Sequence, residues 1–251
     1  MKYIVGDIGN TLTKICLLNN NFNIINSYNI QTSKILKSNN LSKLINKILK
    51  KNINKKILFS SVVPNVYKKI KFLIEKKNLK TYEIKDLNIK DLIKFKIKKF
   101  NELGSDRIAN AVASFSLYKT NCLVIDFGTA TTFDIILKSG SYEGGVIAPG
   151  VKISINNLKN STALLPDFQL KANKKKYGKN TKEALNAGFL WGYQGLINNI
   201  IKKISINGKR SYKIILTGGY ANLFKKFINK QSTIDKNITI KGIIKIYREL
   251  L

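Results

Sequence analysis

The chain has 251 residues, 44% of them apolar, which is enough for one large core or two smaller ones. It has no histidine and two cysteines, so Ser–His and Cys–His catalysis and any cysteine–histidine metal centre are excluded, and a general base must be a carboxylate, lysine, tyrosine or cysteine. The formal charge is +31, but the lysines are scattered through Ile/Asn/Lys-rich stretches such as 43–58 and 89–99. Only Arg107, Arg210 and Arg248 are arginines, and no helix-turn-helix, zinc or RNA-binding signature appears. The excess reads as biased composition on an enzyme that favours anionic ligands, with no specific nucleic-acid partner.

Taken in order, Tyr3 to Val5 reads as a strand that enters Asp7-Ile8-Gly9-Asn10-Thr11-Leu12-Thr13-Lys14 and leaves through Ile15 to Leu18. A hairpin is expected, with Gly9 and Asn10 at its tip because both tolerate positive φ. Such a bend is either an ordinary polar hairpin or a phosphate cradle. In the second case backbone N–H groups approach phosphate oxygens, Lys14 adds a point charge, and Asp7 holds a divalent metal through water. Asp7 also interrupts the N-terminal apolar stretch too early for a secretory signal, and no apolar run approaches the ~18 residues of a membrane span. Cys16 and Cys122 lie in strand-like runs and read as buried thiols in a reducing compartment, which points to the cytoplasm.

Phe22 to Ile30 reads as a further strand, and residues 31–52 as an amphipathic helix from about Leu41. Ile57 to Val63 is β-rich and ends at Pro64, which opens a helix over 65–77. The segment 79–99 reads as irregular surface. Gly104-Ser105-Asp106-Arg107 opens a helix from Ile108 to Tyr118, with Ser105 or Asp106 placed to cap it. Ile125-Asp126-Phe127-Gly128-Thr129-Ala130-Thr131-Thr132 then repeats the first bend. In a gapless register Asp7 meets Asp126, Gly9 meets Gly128, Asn10 meets Thr129 and Thr13 meets Thr132. The repeat suggests two related halves, each opening with a hairpin. Acids are scarce, so Asp106, Asp126, Asp134 and Glu143 stand out, although Asp134 reads as a solvent-facing strand residue.

Gly144 to Gly150 reads as a loop close to a backbone or ligand, Val151 to Leu165 as a helix, and 171–179 as an exposed loop. Asn180-Thr181 precedes a helix from Lys182, with Gly188, Gly192 and Gly195 along one face, as if another segment approached there. Lys213 to Leu216 reads as a strand that ends in Thr217-Gly218-Gly219, a strand-to-helix turn or a ligand-facing glycine pair.

The ordered set DIGNT…K at 7–14, GSDR at 104–107, DFGTATT at 126–132, GGVIAPG at 144–150, NT at 180–181 and TGG at 217–219 resembles type III pantothenate kinases. These are members of the acetate kinase/sugar kinase/Hsp70/actin superfamily. The resemblance implies an α/β fold of two ribonuclease H-like domains, residues 1–119 and 120–251, with ATP in an interdomain cleft. It implies ATP-dependent phosphorylation of pantothenate, the first step towards coenzyme A, by a homodimer using Mg²⁺ and a monovalent cation, K⁺ or NH₄⁺. By resemblance Asp106 is the catalytic base, Gly104, Ser105, Asp106, Arg107 and Thr181 contact pantothenate, Asp126 binds the monovalent cation, and residues 7–14 with Thr129 bind ATP. The region 151–165 resembles the family's subunit contact, and the glycine pair lies under adenosine. One departure stands out. The family's tyrosine and Asn-Pro pair upstream of GSDR are replaced around Ile97, Lys99 and Phe100, which leaves open a kinase for another small alcohol. A regulator that kept the ATP fold and binds nucleic acid is the alternative of a different class.

Overall fold

The computed structural model describes residues 1–37, 40–49, 53–172 and 177–251. They form two compact units: Met1–Lys119 with Ser139–Tyr142 and Asn237–Leu251, and Thr120–Lys138 with Glu143–Lys236. The second unit therefore does not run from residue 120 to the end, because the last helix belongs to the first.

In the first unit, β1 (Lys2–Ile8) and β2 (Leu12–Leu18) form the hairpin expected from the sequence, and β3 (Ile24–Gln31) adds to it antiparallel. The segment read as one helix is two, α1 (Thr32–Lys37) and α2 (Asn40–Leu49); residues 50–52 of that reading lie outside the described residues. Ile35, Leu41, Ile45 and Ile48 are buried at helical spacing. β4 (Ile53–Ser61) lies parallel to β1. Pro64 takes the first position of α3 (Pro64–Glu75), where its missing N–H has no partner to lose. The 79–99 stretch is more ordered than its composition suggested: β5 (Lys80–Glu83) pairs parallel with β4, and two 3₁₀ turns lead to β6 (Lys94–Phe95). The sheet order is β3-β2-β1-β4-β5. Ile4, Ile8, Ile57, Phe59 and Ile70 form its core with the helices. α4 (Ser105–Tyr118) begins three residues earlier than read, at the GSDR serine itself.

In the second unit, β7 (Cys122–Phe127) and β8 (Ala130–Leu137) form the second hairpin. Glycine-rich 144–150 is mostly strand, not loop: β9 (Ser141–Pro149) lies beside β8. Gly144 stays in the strand at φ +122°, a conformation that other residues rarely adopt. The first two residues of β9, Ser141 and Tyr142, belong to the first unit and pair with β6. α5 (Val151–Asn160) stops short of Leu165, and α6 (Thr181–Gly208) starts at Thr181. Of the 171–179 reading, Lys171, Ala172, Tyr177 and Lys179 are exposed, and residues 173–176 lie outside the described residues. β10 (Lys213–Gly218), α7 (Ala221–Lys225) and β11 (Ser232–Ile234) complete the unit, with β10 parallel to both β7 and β11. Leu123, Ile125, Phe133, Leu190, Leu216 and Phe224 fill its core. α8 (Ile238–Leu250) closes the chain in the first unit.

The strand order of the second unit, β9-β8-β7-β10-β11, repeats that of the first element for element. In both, the leading hairpin is antiparallel and the next two strands are parallel. The two-halves reading of the sequence thus extends to the whole sheet. The register needs one correction. Ile8 faces Thr13 across the first hairpin, but Phe127 faces Thr131 across the second. The first tip is one residue longer, so Thr13 corresponds to Thr131 and not Thr132. Neither Gly9 nor Asn10 has the positive φ that the hairpin reading allows for.

Candidate active site

Each hairpin tip is latched by the chain at the end of the third strand of its unit. Thr13 and Thr131 are both fully buried. The Thr13 and Thr32 hydroxyls are 3.0 Å apart, and Thr32 Oγ1 donates to the Gly9 carbonyl at 2.7 Å. In the second unit, Thr131 Oγ1 donates to the Pro149 carbonyl at 3.1 Å. A methyl on Gly150 would overlap the Thr129 carbonyl, so only glycine lets α5 begin this close to the tip. These bonds leave Asn10 and Thr11 in one tip, and Gly128 and Thr129 in the other, exposed. Ile8 and Thr13 point into the core, so any ligand contact at those two positions is through the backbone.

Asp7 sits at the end of β1, opposite Lys14 on β2 and beside Ser60 on β4. Ser60 Oγ donates to Asp7 Oδ1 at 2.9 Å, and Lys14 Nζ donates to Asn237 Oδ1 at 2.8 Å. Burial raises the Asp7 pKa to about 7; the Ser60 bond and Lys14 oppose this, and the negative charge of Asp106 adds to it. The GSDR carboxylate therefore lies within electrostatic reach of the first hairpin. Asp126 takes the equivalent place in the second unit, and its neighbour on β10 is again a hydroxyl residue, Thr217. Gly218, at φ +84°, lets the Asp126 carboxylate lie over its Cα: a methyl there would stand 2.6 Å from Oδ1.

Asp106 is the second residue of α4 and does not cap it. Gly104 holds the cap position, and Asp106 Oδ1 accepts from the Arg107 N–H at 2.8 Å. A helix N-terminus alone would hold a carboxylate acidic. The Asp106 pKa is instead raised, because burial outweighs the Arg107 N–H, the Arg107 charge and Lys85. Ser105 is fully buried, so its side chain faces the core. Arg107 is half-buried next to it.

Thr181 opens α6, whose cap is Asn180, its side chain accepting from the Glu183 N–H at 3.0 Å. Thr181 lines an apolar groove of about 560 Å³ between α5 and α6, with Leu158, Leu165, Gly188, Phe189 and Gly192. Among the described residues, nothing outside the helix's own backbone and chain neighbours lies within 4 Å of a methyl built on Gly188, Gly192 or Gly195. Asp134 is fully buried, contrary to its reading as solvent-facing; it lies on β8 between β7 and β9, a strand covered on both faces. Phe100 packs edge-on against Phe95 at 4.8 Å between ring centres. Among the described residues no three Cys, Asp or Glu side chains form a metal cage. Ser60, Glu83 and Asn237 were missed in the sequence. Ser60 could have been found only by extending the repeat to the next parallel strand.

Solved structures with this architecture include a protein described as a 2-dehydro-3-deoxygalactonokinase from Sinorhizobium meliloti, with TM-score 0.62, 10% identity and 98% of each chain covered. A protein assigned to the Baf family of transcriptional activators from Campylobacter jejuni has TM-score 0.62 and 21% identity, again with 98% of each chain covered. A protein described as a sugar kinase from Cytophaga hutchinsonii has TM-score 0.55 and 12% identity, covering 99% of this chain and 100% of its own. The chain shares the fold of these proteins, two related mixed sheets with a hairpin leading each.

The profile of type III pantothenate kinases matches residues 3–203. A type III pantothenate kinase of Pelagibacter ubique is 46% identical over 243 residues, 96% of this chain and 97% of its own length. Another, from Rhodospirillum rubrum, is 41% identical over 148 residues, 59% of this chain and 58% of its own. The chain belongs to the type III pantothenate kinases, phosphotransferases that act on pantothenate. No helix among the described residues is long and apolar enough to cross a membrane.

Proposed function

We propose that this chain transfers the γ-phosphoryl group of ATP to the primary hydroxyl of pantothenate, giving 4′-phosphopantothenate, with Asp106 as the general base. The observation that carries this reading is the placement of Asp106 in the same unit as the first hairpin, close enough for its charge to act on Asp7. Asp106 accepts the hydroxyl proton as the oxygen attacks the γ-phosphorus in line. Lys14 and the backbone of residues 7–14 neutralise charge on the phosphates, and Thr129 adds a further ATP contact. Gly104 and Ser105 meet pantothenate through their backbone, and Arg107 and Thr181 through side chains.

With no preformed cage among the described residues, a Mg²⁺ ion would fit Asp7 as one carboxylate of a shell completed by water and phosphate, the usual arrangement for this ion. When bound it supplies charge neutralisation on the phosphates. Asp126 is assigned the monovalent cation, K⁺ or NH₄⁺. The exposed apolar groove and its bare glycines are assigned to a second copy, giving a homodimer. The two free, buried cysteines, Cys16 and Cys122, suit a reducing cytoplasm.

A coupled assay with pantothenate and a panel of related alcohols, with and without potassium, tests the reading. ATP consumption should require pantothenate. Asp106→Asn should lower kcat by about 10²–10⁴-fold, the usual contribution of a positioned base, while ATP still binds. An Asp106→Asn variant at full rate would remove Asp106 from the role.

A further inference from the structure

We propose that Glu83 is a positioning residue for Asp106: its carboxylate joins the end of β4, the turn after β5 and the buried first residue of α4, and so fixes the helix start that carries the base. The proposal rests on the reading of Asp106 as the base. Glu83 Oε1 accepts from the Ser61 N–H at 3.2 Å, and Oε2 accepts from the Lys85 N–H at 2.8 Å. The Ser105 hydroxyl faces the same carboxylate and favours its charged form. Ser105 is fully buried, and its Oγ makes no hydrogen bond of good geometry to Glu83 or to any other described group. A buried hydroxyl left unpaired is costly, and the Glu83 carboxylate it faces is the acceptor we assign to it.

Gly104, at the cap position of α4, has no side chain with which to cap the helix. The Asp106 carboxylate is in turn oriented by local backbone. Oδ1 takes the Arg107 N–H at 2.8 Å. A methyl on Gly104 would stand 2.5 Å from that oxygen, so the carboxylate folds back over the Gly104 Cα. A shift of residues 104–105 therefore moves the reacting oxygen directly. Ser61, the other end of the bridge, follows the Ser60 that holds Asp7. One carboxylate thus ties together the segments that place both acids. Misplacement of a reacting group by ~1 Å can cost on the order of 10²-fold in rate.

The test compares Glu83→Gln, Ser105→Ala, the double variant and Asp106→Asn for kcat, KM for each substrate and thermal midpoint. Glu83→Gln is expected to lower kcat about tenfold while KM for ATP stays within about twofold. The double variant should be no slower than Glu83→Gln within about twofold, because both changes break one bridge. A Glu83→Gln enzyme with kcat within twofold of the parent, whatever its thermal midpoint, would overturn the proposal, as would penalties that multiply in the double variant. Should Glu83→Gln fail to fold, Ser105→Ala decides alone: a fall in kcat at unchanged KM for ATP supports the proposal, and parental kcat overturns it. Asp106→Asn separates the two readings. If it is inactive while Glu83→Gln runs at the parental rate, only the role of Glu83 falls. If it is fully active, the base reading falls and the role of Glu83 with it.

Discussion

Lys14 and Asn237, 223 positions apart in the chain, share a 2.8 Å hydrogen bond in which the lysine amine donates. Lys14 stands across the hairpin from Asp7, so the cation assigned to phosphate is steadied by the residue that precedes α8. Asn237→Ala should raise KM for ATP about fivefold, equivalent to the ~1 kcal/mol of one hydrogen bond. Turnover at saturating ATP should change little. Initial-rate kinetics over a range of ATP concentrations would check this.

The two acids give opposite handles on pH. Burial raises the pKa of Asp106, and a base must be ionised to act. The acid limb of kcat/KM should therefore lie above the ~4 of an ordinary aspartate, with activity lost as pH falls through it. A pH–rate profile measures it directly.

Asp7 acts on stability. Its folded pKa of about 7 lies above the ordinary 3.8, so the folded state binds more protons than the unfolded one between those values. The contribution of Asp7 is fully present below about 4 and is lost as pH rises through about 7. Asp7→Asn should raise the thermal midpoint of the ligand-free protein at pH 8 by a few degrees, and much less at pH 4. Melting curves of both proteins at the two pH values would test it.

Gly242 on α8 lies so close to α4 that a methyl there would overlap the Ala109 carbonyl. Gly242→Ala should cost ~1–3 kcal/mol as the helices are forced apart. Gly195→Ala, where a methyl would meet nothing within 4 Å among the described residues, should stabilise the protein by up to ~1 kcal/mol through helix propensity alone. Denaturant titration of the two variants should give changes of opposite sign.

The groove offers a further test. Gly188→Leu projects a branched side chain into open space on α6, which a folded single chain tolerates and a packed second copy does not. The variant should remain folded by circular dichroism and shift to the monomer mass in light scattering.

Much of this molecule could be read from residues alone. Both hairpins were legible because each couples a short apolar run to an Asp-x-Gly bend, and Pro64 marked the start of α3 because proline suits a first helical turn. β5 was not legible, since Lys80–Glu83 is short and half charged and is held as a strand by its pairing with β4. The raised pKa of Asp106 was not legible, because the sequence displays a helix start but not the burial around it. The membership of α8 in the first unit left no local signal at all: it depends on a glycine that meets a backbone 133 positions away, Gly242 against Ala109, 242 − 109.

That division has a consequence for synthesis. The first unit is built from Met1–Lys119, Ser139–Tyr142 and Asn237–Leu251, with the whole of Thr120–Lys138 and Glu143–Lys236 made before its last helix. On the ribosome, the apolar flank of α4 that receives Gly242 must wait, uncovered, until Asn237–Leu251 has been translated. The second unit can close as soon as β11 emerges, so the half encoded first is completed last.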